Sequence, residues 1–259
     1  MKKIYTILAM ALCSLAIQAQ QTLNLSTNYG TALEKYAGKE CKVNVNRYMV
    51  SGWNTLSLPF AVTEQELNEA FGADCRLERL VGAEETAEGI TLFFQDCKAS
   101  GMEPNMPYII YYTGKNGSRR LSKTAIIDHR EAALSFTVKG SGDVVSMVGT
   151  QRHVNEENFY GILVTDNADA KFVAVDKSKN GFFATRCYVK VQSGGKKMLS
   201  TRHLAAGEVT GISQVLKNGA KADVFSVSGV KVASGVSADE MGNLQPGIYV
   251  VNGRKVVVK

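Results

Sequence analysis

The sequence predicts an all-β fold class: a β-sandwich-like module with one short helix, followed by a small Ig-like C-terminal β-unit. Apolar and polar residues alternate with a period of two in many short runs, which are rich in β-branched and aromatic residues. Gly, Asn, Asp and Ser bound these runs, and four Asn-Gly pairs supply turn signals. Short strands at this spacing are typical of sandwiches and barrels.

The predicted strands are, in chain order, CKVNVNRYMV, WNTLSLPF, GITLFFQD, PYIIYYT, AALSFTV, VVSMVGT, FYGILVT, KFVAVD, GFFAT and CYVKVQ. In the second strand, Leu56 and Leu58 share one face. Trp53 and Thr55 share the other, and Pro59 ends the run. This alternation predicts that one face of each strand is buried.

One segment, TEQELNEAFG, has a helical period instead. Thr63 is a favourable N-cap, and Glu66 stands three residues later, at the spacing of a capping box. Leu67 and Phe71 share one face, and Gly72 suits the position that ends a helix. The segment therefore predicts a single helix of about two turns that covers one end of a sheet.

The first residues of the chain, 1–19, are typical of a secretory signal peptide. Lys2 and Lys3 precede an apolar stretch that is short for a membrane span, and the small Ala19 suits a cleavage site. An uncleaved membrane anchor and a lipoprotein signal through Cys13 are the alternatives. Because no second long apolar run follows, we expect no transmembrane segment after cleavage.

The rest of the chain divides where the strand pattern weakens, between about residues 194 and 210. This division predicts an N-terminal extension over 20–40, the β-sandwich-like module over 41–205 and the C-terminal β-unit over 206–259. Removal of the signal peptide lowers the formal charge from +6 to +4, and basic residues alternate with acidic ones. The charge pattern therefore favours no nucleic-acid partner.

Four cysteines remain in the mature chain: Cys41, Cys75, Cys97 and Cys187. In an oxidising compartment they allow up to two disulfides, in any of three full connectivities. Buried free thiols are the alternative, because a core of this size does not need disulfides.

The sequence contains little that predicts catalysis. His129, His153 and His203 are far apart, and none stands in a metal-binding spacing, so we expect no metal and no cofactor. An extracellular hydrolase built from Cys97 or Cys187 with one of the first two histidines is an alternative. Neither cysteine stands at a predicted helix N-terminus that would stabilise a thiolate.

Two features suit ligand binding better. KNGSRRLSK places Lys115, Arg119, Arg120 and Lys123 on a predicted hairpin loop without an acidic residue, which suits an anionic glycan or a lipid headgroup. An ordinary solvated hairpin is the alternative interpretation of this segment. The aromatic runs YIIYY, over 108–112, and FF, over 182–183, contain rings that could stack on sugars, among them Tyr111 and Tyr112; core packing is the alternative role for these rings.

The segments GWNTLSLPF, LERLVGAEE, GITLFF and MPYIIYY resemble a recurring module in secreted and surface proteins of Bacteroidetes. The later segments SMVGT, AKFVAV and NGFFATRCYVKV are similar to the second half of that module. The resemblance covers residues 41–205. It implies an extracellular or outer-membrane surface location rather than a particular chemistry.

The segments TGISQV, DVFSVSGVKV and LQPGIYVVNGRKVVVK are similar to the C-terminal sorting domain of type IX secretion cargo. This resemblance implies export through the periplasm, the type IX secretion machinery as a partner, and removal of the domain on anchoring to lipopolysaccharide. The residues at the matching positions are Gly229, Leu244, Gly247, Ile248, Tyr249, Val250, Asn252, Gly253, Lys255, Val256 and Val257.

Together these observations predict a non-enzymatic secreted or cell-surface protein whose β-module serves adhesion or ligand binding. Its expected ligand is a surface glycan or a protein. A carbohydrate-binding module that uses exposed aromatic rings is one alternative, and the extracellular hydrolase is the other.

Overall fold

The computed structural model describes most of the chain from residue 21 onward; the described residues are 21–25, 32–155, 158–163, 170–176, 181–192, 197–205, 208–209, 221–241, 244–245 and 247–258. The predicted signal peptide and the TGISQV segment lie outside these residues. So do Asn180 and the Asn218–Gly219 pair of the predicted turns.

Strands dominate the described residues. In chain order they are β1 (Thr22–Leu25), β2 (Glu40–Met49), β3 (Gly52–Leu56), β4 (Arg76–Thr86), β5 (Gly89–Asp96), β6 (Tyr108–Tyr112), β7 (Gly117–Ile126), β8 (Ala133–Thr137), β9 (Val144–Gly149), β10 (Phe159–Leu163), β11 (Lys171–Ala174), β12 (Cys187–Gln192), β13 (Leu199–Leu204), β14 (Glu208–Val209), β15 (Ala222–Ser226), β16 (Lys231–Val236), β17 (Gly247–Val251) and β18 (Arg254–Val258). The helices are α1 (Ala32–Tyr36), α2 (Glu64–Phe71) and α3 (Ala238–Met241), with a 3₁₀ turn at Lys98–Ser100. The predicted all-β fold class is confirmed.

The strands form three sheets. The small sheet has the order β1-β2-β7, and the large sheet has the order β3-β6-β4-β5-β13-β11-β10-β12-β9-β8. The third sheet, β14-β18-β17-β15-β16, contains only strands from the predicted C-terminal unit. The large sheet curls back on itself, since β3 packs against β10 and β12, and Glu84 of β4 bridges Lys139 beyond β8.

The curled sheet separates two hydrophobic cores. One face of β3, β4 and β6 packs against α2 and the inner face of the small sheet, through Val43, Val45, Leu56, Leu67, Phe71, Leu77, Ile110 and Leu121. The opposite face lines the interior of the curl, with Trp53, Leu80, Leu92, Phe94, Ile109, Val145, Met147, Phe172 and Val189. The predicted separation of Leu56 and Leu58 from Trp53 is confirmed.

Two strands are buried on both faces. All five residues of β3 are buried, as are four of the five residues of β6, the YIIYY strand. The physical reason is that these strands form the layer between two cores.

Helix α2 forms as its sequence predicts. Thr63 Oγ1 accepts a hydrogen bond from the Glu66 amide, and Glu66 Oε2 accepts one from the Thr63 amide at 2.8 Å. Leu67 and Phe71 are buried, and Gly72 ends the helix with a φ of 97°. This helix covers the inner side of β7.

Other predictions of local structure need correction. GFFAT was predicted as a strand, but it contributes only an isolated bridge between Phe182 and Val154. KNGSRRLSK, predicted as a loop, lies mostly within β7, because a continuous ladder pairs it with β2. The weakly patterned segment before residue 205 contains β13, which pairs in parallel with β5.

The C-terminal sheet has a hydrophobic core of its own, built around Val224, Met241, Val251 and Val256. Strands β17 and β18 form the predicted hairpin. Asn252 and Gly253 have φ angles of 50° and 75°, so this pair has the two positive φ angles of a type I′ turn. At Asn116–Gly117 only the glycine has a positive φ, and the predicted type I′ turn does not form there.

Within the described residues, no helix combines the length and apolar character needed to cross a membrane.

Candidate functional site

Five side chains meet at one end of the interior of the large sheet, and we call them the Trp53 cluster: Trp53, Arg76, Glu78, Tyr111 and His203. Strand pairing places Trp53 and Arg76 on either side of Tyr111.

The turn before β3 positions Trp53. Asn54 Oδ1 accepts a hydrogen bond from the Val50 amide, and Asn54 Nδ2 donates to the carbonyls of Val50 and Gly52. These bonds close the β2–β3 connection and direct the indole into the interior, where it is 1% exposed.

Arg76 stacks on two aromatic rings at the outer side of the cluster. Its guanidinium carbon lies 4.8 Å from the Trp53 ring centroid and 4.7 Å from that of Tyr111. Arg76 is exposed, and within the described part of the chain it forms no ion pair. A guanidinium held this way keeps N–H groups directed at solvent, which suits a carboxylate or a phosphate.

Glu78, which is buried, and His203, which is half-buried, form a hydrogen-bonded pair deeper in the cluster. His203 Nδ1 lies 2.6 Å from Glu78 Oε2, and the Ala170 amide donates to His203 Nε2 at 3.3 Å. Because Nε2 accepts, we assign the proton to Nδ1, which donates to Glu78. Both ring nitrogens are thus occupied. The imidazole also lies parallel to the Trp53 indole.

A cleft of about 500 Å³ adjoins the cluster where β11 and β13 separate. These strands pair only between Phe172 and Leu199. Thr201 Oγ1 donates to the carbonyl of Ala170, the residue whose amide binds His203, so the cleft wall and the cluster share backbone contacts. The cleft volume falls within the usual range for small-molecule sites.

Charged groups stand at one side of the cleft. Lys197 Nζ lies 3.4 Å from Glu85 Oε1 and 3.8 Å from Asp143 Oδ2. The Lys197 amide donates to the Tyr160 hydroxyl at 3.0 Å. These contacts tie β10 and the start of β13 to the β4–β5 side of the sheet.

The structure does not bring the four predicted cationic residues together. Arg119 folds onto the Tyr112 ring and donates to the Tyr112 hydroxyl and the Lys115 carbonyl. Lys123 Nζ pairs with Glu66 of α2 at 2.7 Å. Arg120 lies on the opposite, outer face of β7, and Lys115 is exposed in the loop before it.

The predicted aromatic residues are mostly buried. Tyr112 is 2% exposed and Phe182 is 8% exposed, whereas Phe183 is half-buried beside His153. Tyr111 is half-buried, but Arg76 covers one of its faces. A sugar could therefore stack on that face only after displacement of Arg76.

All four predicted cysteines are free thiols in the structure. Cys41, Cys75 and Cys187 are buried, and Cys97 is half-buried. Burial raises the pKa of Cys41 and Cys75, and it raises the pKa of Cys97 and of Cys187 to about 12. A cysteine nucleophile needs the opposite shift. His129 and His153, the predicted partners, are exposed.

The residues of the sorting resemblance lie in and around the C-terminal sheet. Gly229, with a φ of 84°, turns the chain between β15 and β16, and Leu244 packs against the third core. The Tyr249 hydroxyl donates to the Gln245 carbonyl at 2.8 Å. The remaining matching residues lie in the β17–β18 hairpin: Gly247, Ile248, Val250, Asn252, Gly253, Lys255, Val256 and Val257.

Comparison with known proteins adds no family to this description. No protein-family model, curated protein or solved structure matches the chain. Within the described residues, no group of three or more His, Cys, Asp or Glu side chains is arranged to hold a metal ion.

Proposed function

We propose that this chain is a non-enzymatic secreted or cell-surface binding protein. In this proposal the module of residues 41–205 binds a ligand at the Trp53 cluster, and residues 206–259 direct export by a type IX-like route. The resemblance of both segments to Bacteroidetes surface proteins supports the location.

The binding proposal rests on the stacking of Arg76 against Trp53 and Tyr111. Its guanidinium lies less than 5 Å from two ring centroids, which orients it before any ligand arrives. Orientation in advance reduces the entropy lost on binding. A carboxylate or phosphate is the group that a guanidinium edge recognises best, so we propose an anionic ligand.

The raised pKa of Cys97 and Cys187 supports a binding function over the cysteine-hydrolase alternative. His203 supports it too, because the Glu78 carboxylate and the Ala170 amide occupy its two nitrogens. The carbohydrate alternative receives less support at Tyr111 and Tyr112, since one ring is capped by Arg76 and the other is buried.

Intrinsic fluorescence tests the binding site, because Trp53 is the single tryptophan of the chain. Titration of the full chain with inorganic phosphate and with glucuronate should give a saturable change in Trp53 emission for at least one probe. Arg76→Gln should abolish that change. Arg79→Gln is the matched control, since Arg79 is exposed on the same strand and pairs only loosely with Glu103, at 3.7 Å. A flat titration with both probes would reject the site.

A truncation tests the export proposal separately. Removal of residues 206–259 should leave the remaining protein in the periplasm of the producing cell, detected by fractionation. Normal display of the truncated protein on the surface would show that residues 206–259 do not direct export. The binding proposal would be unaffected.

A further inference from the structure

The small sheet has an outer face that packs against none of the three cores. Its inner face supplies Val43, Val45 and Leu121 to the first core. The outer side chains of β1, β2 and β7 are instead mainly polar: Thr22, Asn24, Glu40, Lys42, Asn44, Asn46, Tyr48, Ser118, Arg120, Ser122, Thr124 and Ile126. We call this surface the outer face.

Three of these side chains form a ladder across the sheet. Asn44 Nδ2 donates to Asn24 Oδ1 at 2.9 Å, and Ser122 Oγ donates to Asn44 Oδ1 at 2.6 Å. Each residue stands opposite its partner in the strand register. The bonds orient the two amides, and they leave amide protons and lone pairs directed at solvent.

Two further rungs continue the ladder along β2 and β7. Asn46 stands opposite Arg120, and Tyr48 stands opposite Ser118. Successive rungs are about 6.8 Å apart along a strand, and neighbouring strands are about 4.8 Å apart. The outer face is therefore a grid of hydrogen-bonding groups with an aromatic ring at one end.

Tyr48 is the aromatic residue whose exposure is unusual. It is 53% exposed, whereas the aromatic residues of the predicted sugar-binding runs are buried or half-buried. An exposed ring on a flat strand offers its apolar surface to the C–H groups of a sugar, and its hydroxyl remains free to bond at the edge.

The charge of the outer face is positive. Lys42 and Arg120 are its cations and Glu40 is its acid. Within the described residues neither cation forms an ion pair. Two cations are too few for a nucleic-acid surface, and the single exposed ring is surrounded by amides and hydroxyls rather than by the apolar core of a protein interface.

We propose that the outer face binds an extended acidic polysaccharide. The amide and hydroxyl grid meets the repeating hydroxyl groups of the chain, Tyr48 stacks on a sugar ring, and Arg120 binds a uronate carboxylate with two parallel hydrogen bonds. This is a second site, and it does not depend on the Arg76 site.

Binding of the full chain to polygalacturonate, measured by affinity electrophoresis and calorimetry, tests the proposal. Fully methyl-esterified polygalacturonate is the matched ligand, because it keeps the sugar backbone and lacks the charge. We expect at least about tenfold weaker binding of the ester, and about tenfold weaker binding of the acidic polymer by Tyr48→Ala and by Arg120→Gln.

Two control variants separate this site from general electrostatics. Lys139→Gln and Arg79→Gln each remove an exposed cation that lies away from the outer face, and both should bind the acidic polymer as the unchanged protein does. Tyr48→Ala and Arg120→Gln should keep the Trp53 emission response to glucuronate, which separates the outer face from the Arg76 site. Absence of binding, equal binding of both polymers, or equal losses in the control variants would overturn the proposal. So would unchanged binding by both outer-face variants. All four positions are at the surface, and unfolding midpoints verify that each variant is folded.

Discussion

The imidazole of His203 lies parallel to the indole of Trp53, with ring centroids 4.4 Å apart and an interplanar angle of 8°. One ring lies on β3 and the other on β13, so the contact exists only because the large sheet curls. The stack holds His203 where it donates to the buried carboxylate of Glu78. The Trp53 cluster is therefore a structural unit as well as a candidate site.

Glu78 and His203 should contribute jointly, and not additively, to the free energy of unfolding. His203→Phe preserves a ring against Trp53 but leaves the carboxylate buried without its donor, so we expect a loss of about 3 kcal/mol or more in the free energy of unfolding. Glu78→Gln removes the charge and should cost about 1 kcal/mol. Urea unfolding followed by Trp53 emission measures both. If the double variant loses as much free energy of unfolding as the two single variants added together, the two residues are not coupled.

The N-cap of α2 should contribute measurably to stability. Thr63→Ala removes the side-chain acceptor of the capping box and should lower the free energy of unfolding by about 1 kcal/mol. Gln65→Ala is the control on the same helix, because the exposed Gln65 side chain donates to Glu69 at the surface and takes no part in the capping box. Equal losses in the two variants, measured by urea unfolding, would show that the capping box contributes nothing specific.

The Glu66–Lys123 pair predicts a pH dependence. Burial alone would raise the pKa of Glu66, but hydrogen bonds from Lys123 and Thr63 outweigh it and lower that pKa below its ordinary value of 4.5. A lowered pKa in the folded state means that the stabilisation is present above pH 4.5 and is lost as pH falls through the folded pKa. Thermal unfolding between pH 6 and about pH 3 should show this loss. Glu66→Gln should lose less stability over the same pH range. If its pH profile is identical to that of the unchanged protein, Glu66 is not the source of the pH dependence.

The thiols of Cys97 and Cys187 should resist alkylation. Burial raises the pKa of Cys187 and of Cys97 to about 12, so the reactive thiolate is scarce at pH 8. We expect iodoacetamide to leave both unmodified in the native protein and to label both after denaturation, as measured by peptide mass spectrometry. Rapid labelling of either cysteine in the folded protein would support the hydrolase alternative instead.

The turn at Asn252–Gly253 should control the final hairpin. Gly253→Val places a β-branched residue at a φ of 75° and should cost more than about 1 kcal/mol locally. Amide hydrogen exchange over 247–258 should become faster in this variant. Lys255→Gln, at an exposed position of β18, is the control and should leave exchange unchanged. Unaltered exchange in Gly253→Val would mean that the turn does not set the register.

Local sequence signals predicted what depends on neighbours along the chain. The capping box and Gly72 predicted α2, and alternation predicted the faces of Leu56 and Trp53. The final Asn-Gly pair predicted its hairpin turn, because a type I′ turn requires positive φ angles at both central residues.

Other expectations failed where distant strands decide the environment. KNGSRRLSK has the composition of a loop, but the ladder with β2 makes it a strand and distributes its cations over two faces. Nothing in the local sequence marks Tyr48 as exposed, because β2 alternates in the same way whichever face packs on the core.

The sequence by itself determined the all-β class, the two-turn helix α2 and the final hairpin. The tertiary structure decided which side chains meet. Glu78 and His203 are paired only because a parallel β5–β13 contact and an antiparallel β4–β5 contact bring their strands to one interior face. Pairing partners in a sheet are chosen by packing over the whole module, and so the candidate sites become visible only once the sheets are assembled.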